Sequence, residues 1–99
     1  VLFSGDIGAA MMPDGEDTAF VDDFARHLPR IEGFHRRYMG GNRAARLWAD
    51  SVAQLDLDFI APQHGPIYRG SAVRDFIDWF RELECGMDLM SASGVFRKG

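Results

Sequence analysis

Apolar positions along this 99-residue chain fall into two short runs and several helical stripes, punctuated by glycines and prolines. Val1 to Ser4 is a continuous apolar run ended by Gly5-Asp6, the pattern of a buried strand stopping at a loop. Gly8, Pro13 and Gly15, with Met11-Met12 among them, mark residues 7–15 as a loop. Asp17 is then placed to cap a helix running to about Leu28. Its inward stripe is Phe20, Val21, Phe24 and Leu28, and Asp22, Asp23 and Arg26 fall on the other face. Pro29 interrupts the pattern and suits the first position of a second helix. There Ile31, Phe34 and Tyr38 continue the stripe until Gly40-Gly41 stops it.

Asn42 is a natural cap for a third helix, with Ala44, Leu47, Trp48, Val52 and Leu55 facing inward. Leu57 to Ala61 reads as a second buried strand cut off by Pro62, and "PQHGPIYRG" follows as a loop carrying His64 between two prolines. Ser71 caps the last strong helix, striped by Val73, Phe76, Ile77, Phe80 and Leu83. Residues 84–99 are weakly patterned and are expected to form a loose tail. The order of elements makes the class α/β. Two strands are too few for a self-sufficient sheet beneath four helical segments, which points to one part of a larger domain.

Composition agrees with a folded, modest core: 46% hydrophobic and 12% aromatic residues, including eight Phe. A net charge of −4 supplies no electrostatic footprint for nucleic acid or an anionic membrane. The local basic cluster of His35, Arg36, Arg37, Arg43 and Arg46 reads as a solvated helix face. Cys85 alone makes no internal disulfide and fits a reducing compartment. Its setting, "ELECGMD", has no cation to stabilise a thiolate. No apolar run approaches the ~20 residues of a membrane span, and Val1-Leu2-Phe3 lacks a signal peptide's basic region, so the chain reads as cytoplasmic.

Two residues stand out chemically. Asp6 follows one strand and a flexible glycine; His64 follows the other strand on a proline-stiffened loop. Alone, each is an ordinary turn or surface residue. As a pair ending two strands of one sheet, they lie at the edge where α/β sheets hold ligands.

"LFSGD" and "DFIAPQHGPI" resemble the last two ligand motifs of the metallo-β-lactamase fold, closest to its flavodiiron and oxygen-binding diiron branch. The resemblance spans roughly residues 1–83. It implies that the chain is the C-terminal half of an αββα sandwich. In the intact parent, Asp6 would bridge two irons and His64 would ligate one, for binding or reducing dioxygen or nitric oxide. The family's upstream ligands, a His-x-Glu-x-Asp-His motif and a further His, do not occur in this sequence, nor does a flavodoxin-like domain. His27 and His35 lie in helical patterns without ligand spacing. Two ligands cannot fill two coordination spheres, so the fragment is expected to be inactive by itself and to self-associate through its uncovered apolar surface. The alternatives are part of a zinc hydrolase of the same fold acting on an ester, thioester or lactam, and a non-catalytic helical interaction module.

Overall fold

The computed structural model describes residues 1–12, 19–83 and 85. Asp17, Pro13 and Gly15 lie outside the described residues, as does the expected loose tail apart from Cys85. Four strands form one mixed sheet: β1 (Leu2–Gly5), β2 (Phe20–Val21), β3 (Phe59–Pro62) and β4 (Ile67–Arg69), in the order β1-β3-β4-β2. β1 runs parallel to β3, β3 antiparallel to β4, and β2 parallel to β4. The helices are α1 (Phe24–His27), α2 (Glu32–Tyr38), α3 (Asn42–Ala53) and α4 (Ser71–Arg81), with a 3₁₀ turn at Leu28–Arg30 between α1 and α2.

Among the described residues the sheet therefore has four strands, not two. Phe20 and Val21 belong to a strand rather than to a helix from Asp17; Val21 lies opposite Tyr68, and the Ile67 N–H donates to the Ala19 carbonyl at 2.9 Å. Two apolar residues fit a helical stripe and a short strand equally well by period, and the non-local partner decides. That partner, β4, lies inside the segment read as a loop, where Tyr68 is buried and Arg69 exposed on alternate sides. Asp23 caps α1, its carboxylate accepting from the Arg26 N–H at 3.3 Å. Pro29 opens the 3₁₀ turn, and α2 begins at Glu32.

The long helices follow their stripes with one correction. In α4, Val73, Phe76, Ile77 and Phe80 are all buried as the spacing predicts, and Leu83 just beyond it is too. In α3 the buried face is Ala45, Ala49 and Val52, while Ala44, Leu47 and Leu55 are exposed. α3 packs against α4, where Trp48 meets Phe76 and Phe80 edge-on. Asn42 and Ser71 are first helical residues preceded by Gly41 and Gly70, so neither caps its helix. Asn42 instead accepts from the backbone N–H of buried Cys85 at 2.7 Å. Arg74 of α4 donates to the carbonyls of Ala53 and Leu55, closing the C-terminal end of α3. Tyr38, read as inward, is 70% exposed on α2. At the sheet edge, Phe3 is 80% exposed, so β1 is not buried on both faces. Phe59 on β3 is exposed as well.

Aromatic rings fill the core. Phe76 and Phe80 stack with centroids 5.6 Å apart, Trp48 meets Phe80 edge-on at 5.3 Å, and Tyr68 lies 4.7 Å from Phe76. Two histidines are buried in this company, His27 and His35. Arg36, Arg37, Arg43 and Arg46 stay at the surface or partly so, with Arg36 3.3 Å from Glu32 one turn earlier. Among the described residues no helix is long and apolar enough to cross a membrane.

Burial holds the His27 imidazole down at about 4, with the charge of Arg30 adding to it, and burial also lowers His35. Both are therefore neutral in the folded chain at pH 7. Below pH 6.5 the unfolded chain binds more protons than the folded one, so stability falls as pH drops. The expected outcome in denaturant unfolding is a full contribution above pH 6.5 that fades towards pH 4, about 3 kcal/mol at most for His27. A stability flat across that window would contradict the neutral assignment of both rings.

Candidate metal centre

Parallel pairing decides where the two singled-out residues go. β1 and β3 run side by side with Leu2 opposite Ile60 and Phe3 opposite Ala61, so their C-terminal ends share one edge. After a shift in register, Gly5 stands opposite Pro62. Asp6 is the next residue on one chain segment, and His64 lies two beyond on the other. Backbone bonds stitch the two loops together: Gln63 N–H donates to Gly5 at 2.7 Å, and Ala10 N–H donates to His64 at 3.3 Å. Gly65, at φ +101°, permits this approach, because a Cβ there would lie 2.9 Å from the Ala10 nitrogen.

The turn that carries Asp6 is closed locally. The Ile7 N–H donates to Ser4 at 3.2 Å, the Ser4 hydroxyl donates back to the Ile7 carbonyl at 2.6 Å, and the Ala9 N–H donates to Asp6 at 3.1 Å. From the core side, buried Gly8 is gripped at both polar atoms. Its N–H donates to Nε2 of His35 at 2.8 Å, and its carbonyl accepts from the Tyr68 hydroxyl at 2.9 Å. The other His35 nitrogen, Nδ1, donates to the Ile31 carbonyl at 2.7 Å. Burial pushes the Tyr68 hydroxyl well above the usual phenol range, so it remains a donor. Further along, the Met11 N–H reaches the Arg30 carbonyl at 3.0 Å.

Asp6 and His64 line one cleft of about 180 Å³, together with Ala9, Ala10, Met11 and Phe34. Both residues are exposed. Among the described residues no hydrogen bond or ion pair occupies either side chain. A carboxylate and an imidazole left available in this way suit a first-row transition metal. Two such groups would make only part of a coordination shell, and among the described residues no group of three or more His, Cys, Asp or Glu stands together. His35 has both ring nitrogens engaged by backbone and lies behind the loop. His27 is buried edge-on against Tyr68 at 5.5 Å, with no partner for its Nε2 among the described residues.

Sequence patterning singled out Asp6 and His64, and the fold brings them together. It missed what Gly8, His35 and Tyr68 do, because the partners are far apart in sequence and periodicity carries no sign of them. A glycine two residues beyond a candidate ligand was the one local signal.

Comparison with known proteins identifies the family. A family model described as "ODP family beta lactamase" matches residues 1–65. Two solved structures are similar to the chain, a "peroxy diiron species of chemotaxis sensor ODP" and an "apo state of chemotaxis sensor ODP from T. denticola". Each is 48% identical with a TM-score of 0.83 over 92% of this chain, and the chain spans 38% and 37% of their respective lengths. No curated protein matches. With its mixed α/β sheet and the loops of Asp6 and His64 at one sheet edge, the chain belongs to the ODP family of beta-lactamase-like proteins.

Proposed function

We propose that this chain supplies part of a diiron centre that binds dioxygen for sensing, with Asp6 bridging the two irons and His64 ligating one of them. The observation that carries the reading is the convergence on one small cleft of the Asp6 carboxylate and the His64 imidazole, neither with a side-chain partner among the described residues, in a chain 48% identical to a sensor solved with a peroxy diiron species. When bound, the iron pair would supply electrons to dioxygen. The chain's own part is to hold and to exclude. Asp6 and His64 bring donors from two stitched loops, while Ala9, Ala10, Met11 and Phe34 present apolar surface that suits a small uncharged diatomic molecule; the peroxy diiron species of the similar sensor favours dioxygen over nitric oxide. Asp6 and His64 would be two of the donors such a centre needs, and among the described residues no group of three or more stands together.

Replacing the ligands tests this in the full-length protein. Asp6→Ala is expected to lower Fe(II) affinity by more than the ~10–100-fold that losing an outer-shell partner costs, and His64→Ala to leave one iron weakly held. Anaerobic iron titration, followed by the absorbance change on admitting oxygen, reads both. Unaltered iron binding in both variants would remove the assignment. Protein that retains only zinc and hydrolyses thioesters would favour the hydrolase reading instead.

The isolated chain should also self-associate. Among the described residues β1 ends the sheet with one side unpaired, and Val1 and Phe3 are exposed beside it. Sedimentation is expected to show a dimer at micromolar concentration, shifted towards monomer by Phe3→Lys. A wild-type chain that stays monomeric at those concentrations contradicts the expectation.

A further inference from the structure

We propose that His35 and Tyr68 are positioning residues for Asp6, acting through the backbone of Gly8; this rests on the metal-centre reading above. Gly8 stands two residues beyond Asp6, and both its peptide polar atoms are held by these two side chains, at 2.8 and 2.9 Å. Neither side chain is free to swing. The Nδ1–H of His35 is anchored on Ile31, which fixes the neutral tautomer with its acceptor, Nε2, turned to Gly8. Phe76, Trp79 and Phe80 meet the His35 ring edge-on at 5.9, 5.6 and 5.8 Å. Tyr68 is wedged between His27 and Phe76.

The grip reaches Asp6 through a short, tied path. Ala9 donates to the Asp6 carbonyl, and Ser4 and Ile7 bond each other across Asp6, so the peptides on both sides of the ligand are fixed. A displacement of Gly8 is thus passed to Asp6 rather than absorbed. A carboxylate bridging two cations about 3.5–4 Å apart tolerates little error in its position. The use of an imidazole here is also informative. An apolar ring in its place would fill the same aromatic box but leave the Gly8 N–H unpaired in the core.

Three variants of the full-length protein separate positioning from general stability. Asn reaches only the Nδ1 position, so His35→Asn keeps the bond to Ile31 and loses the one to Gly8. Gln reaches the Nε2 position, so His35→Gln keeps an acceptor for Gly8. Tyr68→Phe removes only the hydroxyl. Fe(II) affinity by competition with a chelator, the visible bands of the Co(II)-substituted protein, and the melting temperature of the metal-free protein are measured for each. Expected are an Fe(II) affinity about tenfold weaker or more and shifted Co(II) bands for His35→Asn and Tyr68→Phe, with His35→Gln returning near wild type although both His35 variants melt lower. Unchanged affinity and bands in His35→Asn and Tyr68→Phe overturn the proposal while leaving the metal centre intact. So does an affinity loss in His35→Gln as large as in His35→Asn. Should His35→Asn fail to fold, Tyr68→Phe decides on the same two readings. A wild-type protein that takes up neither metal overturns the metal-centre reading, and this inference with it.

Discussion

One buried peptide unit constrains much of this structure. Gly8 leaves the surface loop, enters the core and presents an N–H and a C=O where water cannot reach them. Buried backbone groups left unpaired cost about 1–3 kcal/mol each, so the core must contain one acceptor and one donor at that spot. His35 and Tyr68 are those groups. The same point excludes any side chain: φ is +93°, and a Cβ would stand 2.9 Å from the Tyr68 ring. Glycine, histidine and tyrosine therefore specify one another from three distant parts of the chain. The neutral state of His35 belongs to the same arrangement, since Nε2 accepts only while unprotonated.

The sheet supplies the other half of the geometry. Because β1 and β3 are parallel, both loops that leave their C-terminal ends emerge on one side; an antiparallel pair would have sent Asp6 and His64 to opposite ends. β4 turns back antiparallel to β3 and brings Tyr68 under the Asp6 loop, while Arg69 on the alternate face pairs with Asp22 at 2.7 Å and lies 4.0 Å over the Phe20 ring. The three residues of β4 thus face two ways, and the alternation of a strand puts the phenol and the guanidinium to separate uses.

How much of this was legible depended on how local the cause was. The four-residue β1, the end of β3 and the buried stripe of α4 follow from neighbouring residues, through hydrophobic period and through glycine and proline stops. The same holds for the placement of Asp6 and His64 at strand ends. Phe20 and Val21 were read as helix because their helical stripe is real, and only β4, more than forty residues away, turns them into a strand. On α3, Val52 lies inward and Trp48 packs against the core as the stripe predicts, but the buried alanines are Ala45 and Ala49 rather than Ala44. Leu47 and Leu55 are larger than Ala45 and Ala49 yet stay exposed, because the turn of the helix sets Ala45, Ala49 and Val52 on the face that meets the core. The roles of Gly8, His35 and Tyr68 were invisible for the same reason, since each is defined by a partner that local patterning does not reveal.

The three histidines show how the fold sorts one residue type into different tasks. His35 has an acceptor nitrogen on Gly8 and a donor nitrogen on Ile31, so no lone pair remains for a metal. His27 is neutral and edge-on to Tyr68, enclosed where a cation would be costly. His64 has no side-chain partner among the described residues and stands on a loop stiffened by Pro62 and Pro66, with Gly65 fitted against Ala10. Burial, which suits the first two to packing, would disqualify the third. An imidazole can serve as a ligand only if the fold holds its backbone firmly while leaving its nitrogens unspent. The stitched loops of β1 and β3 do that for His64, and for Asp6 beside it.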